Sequence, residues 1–171
     1  DLPEEVEERA KRCVESAIKA LGINFGSVNM DMLITAGGKI HIIDIGARMG
    51  GNMIGPCIIP YGTGVDYMAN MIRNAVGDTV DLSPDKKSAV ATRLLAFGGG
   101  VVKRLPDFES IGKEYGVEIY HHLEVGQAVR EYHTNLDGCG YIVARADDVE
   151  TAITNAEAVL KLIEKNIFMM E

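Results

Sequence analysis

The stretch that decides the reading is residues 28–51, VNMDMLITAGGKIHIIDIGARMGG. Two runs of strand formers, residues 25–35 and 39–45, flank Gly37-Gly38, and this pattern predicts a β-hairpin. Along the first run Val28, Met30, Met32 and Ile34 alternate with Ser27, Asn29, Asp31 and Leu33, so the strand has two chemically different faces. An aspartate interrupts each apolar run, in Met30-Asp31-Met32 and in Ile43-Asp44-Ile45, although strand propensity disfavours aspartate. A symmetric two-residue turn at Gly37-Gly38 sets Asp31 opposite Asp44 and Asn29 opposite Gly46. Residues so paired have Cβ atoms roughly 4.5–5.5 Å apart.

Like charges directly opposite each other destabilise a sheet. Two remedies exist: the carboxylates share a proton, or a divalent cation sits between them. An oxygen-only donor set suits Mg²⁺ or Mn²⁺, and two carboxylates plus substrate phosphates is a common Mg²⁺ arrangement. A different register would separate the acids and leave one of them at a strand end in water. Arg48 follows Asp44 by four positions, and Gly50, Gly51 and Asn52 come next. A guanidinium there can neutralise phosphate oxygens, the glycines admit backbone N–H groups to an anion, and Asn52 adds a side-chain donor. The plainer alternative for Arg48 is a salt bridge to Asp44 with no ligand.

Residues 28–51 resemble the metal-binding hairpin of the ATP-grasp superfamily of carboxylate–amine ligases. The Asp-x-Gly-x-Arg-x-Gly-Gly form that starts at Asp44 is similar to the L-amino-acid ligase branch. The resemblance implies that Asp31 and Asp44 bind Mg²⁺ (or Mn²⁺) bridging the phosphates of ATP. It implies that Arg48 is catalytic, contacting the transferred phosphoryl group and the acyl-phosphate, and that Gly50, Gly51 and Asn52 shape that pocket. Many members carry Asn two residues after the second acid, where this chain has Gly46. Asn29, opposite Gly46, is the expected substitute.

The activity so implied is ATP-dependent: a small-molecule carboxylate becomes an acyl-phosphate, and an amine displaces phosphate to form an amide. A carboxylase-type variant of the same chemistry and a non-catalytic α+β module binding a divalent cation or a partner protein are the alternatives. The resemblance also implies an upstream lobe with a Gly-rich phosphate loop and two nucleotide-contacting lysines. The 171 residues contain neither that lobe nor a Walker-type motif. The expectation is therefore a fragment that lacks the N-terminal part of the same protein and is inactive alone. A homodimer follows from family analogy only.

The surrounding sequence supplies a mixed order of elements, which argues an α+β fold with mainly antiparallel sheet. Residues 2–21 read as an amphipathic helix, with Pro3 and two glutamates in its first turn and Gly22 at its end. A loop runs to Thr63, where Thr63-Gly64-Val65-Asp66 resembles a capping box opening a helix with Val65, Met68, Ala69, Ile72 and Val76 on one face. The polar stretch 78–87 marks a boundary between residues 1–85, the end of an ATP-grasp core by resemblance, and residues 86–171, a small C-terminal α+β domain. In that second part, 89–97 and 101–104 read as strands around a tight turn at Gly98-Gly99-Gly100. Residues 107–114 read as a short helix and 117–123 and 139–145 as further strands. A long helix over 147–165 turns Val149, Ile153, Ala156, Val159, Leu160 and Ile163 inward.

Composition narrows the function classes. A net charge of −8 without a basic stripe argues against nucleic acid. No apolar run has the length of a membrane span. Cys13, Cys57 and Cys139 are too few and too scattered for a disulfide framework or a zinc site, which points to a reducing cytoplasm. His121-His122 would point to opposite faces of a strand, and Met53, Met68, Met71 and Met169-Met170 read as packing residues.

Overall fold

The computed structural model describes residues 2–167. The chain divides into two compact units, Asp1–Gly55 with Tyr67–Asp81, and Pro56–Asp66 with Leu82–Glu171. Every strand pairing among the described residues is antiparallel, and helix and sheet are mixed along the chain, so the α+β class expected from the sequence is the class observed.

The first unit opens with helix α1 (Glu4–Ala20), whose first turn carries Glu4, Glu5 and Glu7 against the positive end of the helix dipole. Strands β1 (Asn29–Ile34) and β2 (Ile40–Gly46) form the hairpin. Helix α3 (Tyr67–Ala75) returns to this unit after the excursion of residues 56–66. The face expected to carry its apolar residues is largely open, with Ile72 64% and Val76 74% exposed. Asn70 is the residue α3 buries, and it accepts the backbone N–H of Asp81 at 3.0 Å. Amphipathic spacing shows which face is apolar; what covers that face depends on neighbours that periodicity does not name.

The second unit carries the larger core. Strands β3 (Ala89–Leu94), β7 (Gly140–Ala146) and β5 (Val117–His121) form a sheet in that order. Helix α5 (Val149–Ile167) packs on β3 and β7, and α4 (Phe108–Tyr115) packs beside β5. Leu95, Val102, Ile142, Val159, Ile163 and Ile167 are fully buried between these layers. Asp107 caps α4 by accepting the N–H of Ser110 at 3.0 Å. Val149, placed inward by periodicity, is exposed on the first turn of α5, and Ala152 is buried instead.

Three local readings need correction. The loop expected before Thr63 contains a π-helical turn (Ile54–Ile58) that runs into a short helix, α2 (Ile59–Thr63). Thr63 therefore closes α2, its hydroxyl donating to the Ile59 carbonyl at 2.7 Å, with Gly64 as a left-handed C-cap. The triple glycine is strand rather than turn: β4 (Gly98–Val101) pairs with β6 (Ala128–Glu131), a strand the sequence reading missed. At Gly99 φ is +88°, and a Cβ would lie 3.1 Å from the Glu131 backbone nitrogen, so glycine is what allows the close pairing. The strands predicted over 89–97 and 117–123 stop at Leu94 and His121, and that over 101–104 ends at Val101. Met169 and Met170 lie outside the described residues.

Ile142→Ala tests where the stability of the second unit resides. The side chain is fully buried at the centre of the sheet, so the substitution should lower unfolding free energy by about 3 kcal/mol, measured by chemical denaturation.

Candidate functional site

The site is organised by the register of the hairpin. Asn29 is paired with Gly46, Met30 with Ile45 and Asp31 with Asp44, whereas Met32 is paired with Ile42 and Ile34 with Ile40. The two halves of the ladder thus differ by one residue, and Ile43 is the extra one, a β-bulge on β2. The tip explains the need for it. The turn has three residues, Ala36-Gly37-Gly38, closed by the Thr35 N–H donating to the Lys39 carbonyl at 2.9 Å. Gly38 has φ +73°, and its N–H donates to the Thr35 carbonyl at 2.8 Å. The symmetric two-residue turn expected from Gly37-Gly38 is not present. A three-residue turn alone would set Asp31 opposite Ile43, and the bulge restores the pairing of the acids.

The bulge also switches the face presented by β2. Ile40 and Ile42 share a face with Met32 and Ile34, and beyond Ile43 it is Ile45 that joins Met30 on that face. Asn29, Asp31, Asp44 and Gly46 fall on the other face. Both aspartates are exposed.

Arg48 folds back over that same face: a Cβ on Gly46 would lie 3.4 Å from Arg48 Cγ and 3.7 Å from its Nε. One of its guanidinium nitrogens, Nη1, donates to the Met49 carbonyl at 2.9 Å. Gly50 approaches the hairpin closely, since a Cβ there would stand 2.8 Å from Asn29 Oδ1 and 3.0 Å from Ile54 Cδ1. At Gly51 a Cβ would meet nothing within 4 Å, so packing within the chain makes no demand for glycine. Asn52 and Met53 both adopt left-handed backbone, at φ +50° and +63°. For residues with a Cβ this costs roughly 1–2 kcal/mol each, less for Asn. Such strain concentrates at functional sites and persists where the surroundings over-determine it.

The fold therefore brings Asn29, Asp31, Asp44 and Arg48 to one face and sets the Gly50–Asn52 loop beside Asn29. Among the described residues no group of three or more His, Cys, Asp or Glu is gathered as a metal-binding cluster. A cation between the two aspartates would take its other ligands from Asn29, water or phosphate oxygens. Ile43 and Met53 escaped the sequence reading. The signal for Ile43 was present: Ile42-Ile43 breaks the alternation of an otherwise two-faced strand. Met53 carries no comparable signal, because methionine is not a residue that announces positive φ.

Comparison with known proteins agrees with this architecture. Residues 93–167 match the family described as L-amino acid ligase C-terminal domain 2. The crystal structure of L-amino acid ligase from Bacillus licheniformis matches 100% of this chain at a TM-score of 0.77 and 20% identity, over 44% of its own length. That of phosphoribosylglycinamide synthetase from Anaerococcus prevotii matches 99% at 0.76 and 20% identity, over 43% of its length. An uncharacterized protein y4rH of Sinorhizobium fredii (strain NBRC 101917 / NGR234) is 26% identical over 168 residues, 97% of this chain and 35% of that protein. The chain thus has the fold of the corresponding part of these solved ligases, the architecture that the resemblance in residues 28–51 implies. The chain spans less than half the length of these relatives.

The two adjacent glycines separate packing from other demands on the loop. Gly50→Ala should lower the unfolding temperature, by an overpacking cost of about 1–3 kcal/mol. Gly51→Ala should leave it within about 0.5 kcal/mol of the parent. Thermal denaturation of the two variants side by side reads the difference.

Proposed function

We propose that this chain is the C-terminal portion of an ATP- and Mg²⁺-dependent ligase that activates a carboxylate as an acyl-phosphate and joins it to an amine. The observation that carries the reading is the gathering of Asn29, Asp31, Asp44 and Arg48 on one face of the hairpin, beside a strained, glycine-rich loop. Residues 1–85 are the end of the grasp core and residues 86–171 the small domain that follows it. The upstream part of the same protein completes the nucleotide site. Its arrival would also account for the apolar side chains that the first unit leaves exposed, among them Phe25, Leu33, Ile43 and Ile72.

The donor set fits the ion the reading requires. Two exposed carboxylates with Asn29 beside them offer hard oxygen ligands and leave room for phosphate and water, as Mg²⁺ prefers. Asp31 and Asp44 would hold it, and Mg²⁺ bound there supplies positive charge that neutralises phosphate oxygens. Arg48 adds a fixed cation on the same face, suited to oxygens that gain charge as a phosphoryl group is transferred. Gly51, which packing inside the chain does not require to be glycine, sits in a loop of the kind whose backbone N–H groups suit an anion.

In the first step a carboxylate oxygen of the substrate attacks the γ-phosphorus of ATP, and the bond to the β-γ bridging oxygen breaks with its electron pair leaving on ADP. In the second, the amine nitrogen attacks the acyl carbon, phosphate departs with the carbon–oxygen electron pair, and a proton is released from nitrogen. The match of residues 93–167 favours an amine acceptor over bicarbonate. A reducing, ATP-rich cytoplasm suits this chemistry and the three free cysteines.

Phosphate release by the full-length protein, with ATP, Mg²⁺ and a panel of L-amino acids, tests the reading. Asp31→Asn and Asp44→Asn should each weaken the apparent Mg²⁺ affinity at least 10–100-fold. Arg48→Ala should lower kcat on the order of 10²–10³-fold. All three positions are exposed, so the variants should fold. Turnover that is indifferent to both aspartates would overturn the assignment. Residues 1–171 alone should be inactive, and ligation by them alone would end the fragment reading.

A further inference from the structure

β3 and β5 are the two edges of the three-stranded sheet in the second unit. Alternate residues of an antiparallel edge strand aim their N–H and C=O groups away from the sheet, a template for another chain. Folded proteins guard such an edge with a charged side chain, a proline or a bulge. At β3 the strand carries Arg93, and the chain at Gly62 lies against its start, where the Ser88 N–H donates to the Gly62 carbonyl at 3.0 Å. β5 is less protected. It contains no lysine and no proline, and its register with β7 runs from Val117 to His121 without a shift.

The one acid of β5 is occupied within its own chain. Tyr61 donates its hydroxyl to Glu118 Oε2 at 2.6 Å, Tyr120 donates to the same oxygen at 2.5 Å, and Arg145 Nη2 donates to Oε1 at 3.0 Å. Burial pushes the Glu118 carboxyl upward, but these donors outweigh it and hold the group below its usual range. Its charge is thus satisfied locally and does little to repel a second strand.

α4 runs beside this edge in the opposite direction. Phe108 stacks on His121 with ring centroids 4.1 Å apart, and one turn on a Cβ at Gly112 would stand 2.8 Å from the Val117 carbonyl oxygen. An open groove of about 570 Å³ follows α4 and β5. Its α4 rim carries one charge of each sign, Glu109 toward the His121 end and Lys113 toward the Val117 end, with side chains 80% and 75% exposed.

Such an edge is complementary to itself. A two-fold axis at Ile119 pairs β5 with β5 of a second copy, so that Ile119 faces Ile119, Glu118 faces Tyr120 and Val117 faces His121. No like charges meet along the strands. Because α4 runs against β5, the same axis carries Lys113 of each copy toward Glu109 of the other, two reciprocal contacts of opposite charge. A peptide of a single sign would match one rim charge and oppose the other. With a net charge of −8 the copies repel each other in general, so a contact between them needs a face of mixed sign.

We propose that β5 is a self-association surface, through which two copies of the protein join their three-stranded sheets edge to edge, with Glu109 and Lys113 fixing the register across the axis. Sedimentation and hydrogen exchange of the full-length protein test this. The protein should be dimeric in the micromolar range. On dilution the β5 amides should lose protection in step with dissociation, while those of β7 keep theirs. Lys113→Glu sets like charges together at both ends of the axis and should raise the dissociation constant about tenfold. Adding Glu109→Lys to the same chain should restore it. Both positions are exposed, so these variants should fold. A monomer at every concentration up to millimolar overturns the proposal. A dimer indifferent to Lys113→Glu, or one whose β5 amides ignore dilution, overturns it too, because its interface then lies elsewhere or another part of the protein covers the edge.

Discussion

Two aspartates facing each other across an antiparallel ladder are the constraint on which the rest of the hairpin depends. Like charges so placed work against the sheet that holds them, and the chain reaches this arrangement only by inserting Ile43 as an extra residue. With a three-residue turn and no bulge, Asp31 would face an isoleucine, and Asp44 would fall on the apolar face with Met32 and Ile42. The bulge brings Asp44 off the apolar face and onto the face that already carries Asn29 and Asp31. Bulges re-aim side chains next to active sites elsewhere, and here one residue changes the chemistry of a whole face.

The loop that follows continues the same theme. Arg48 lies back against Gly46, and Gly50 admits Asn29 because it has no side chain. Asn52 and Met53 then bend the chain through left-handed backbone. None of this is favourable locally. Separately, in the second unit, Tyr61, Tyr120 and Arg145 gather on the Glu118 carboxylate and tie α2 to the sheet. Stability is correspondingly uneven. The second unit owns nearly all the fully buried apolar side chains, while the first buries Ala10 and leaves Ile43, Ile72 and Val76 in solvent. A unit with so little core of its own draws little of its order from burial.

Much of the architecture could be read from residue pattern. α1, α4 and α5 follow from spacing of apolar positions and from end signals such as Asp107 and the glutamates of the first turn. β1, β2, β5 and β7 follow from runs of strand formers. What failed were places where glycine or threonine carried two meanings. Gly98-Gly99-Gly100 read as a turn and is a strand paired with β6, where Gly99 at φ +88° would set a Cβ tightly against the Glu131 backbone. Thr63 read as the start of one helix and closes another.

The sequence by itself determined the α+β class, the antiparallel hairpin, and the candidate residues Asp31, Asp44, Arg48 and the loop after them. These depend on local propensity and on side-chain chemistry, which are properties of short stretches. Tertiary structure decided the true turn, the bulge at Ile43, the fold of Arg48 over Gly46 and the hydrogen-bonded cluster around Glu118. It also decided which face of α3 is covered. Each of these is a contact between residues whose closeness depends on the path of the intervening chain, and that path is set by the sum of many weak preferences rather than by any single stretch.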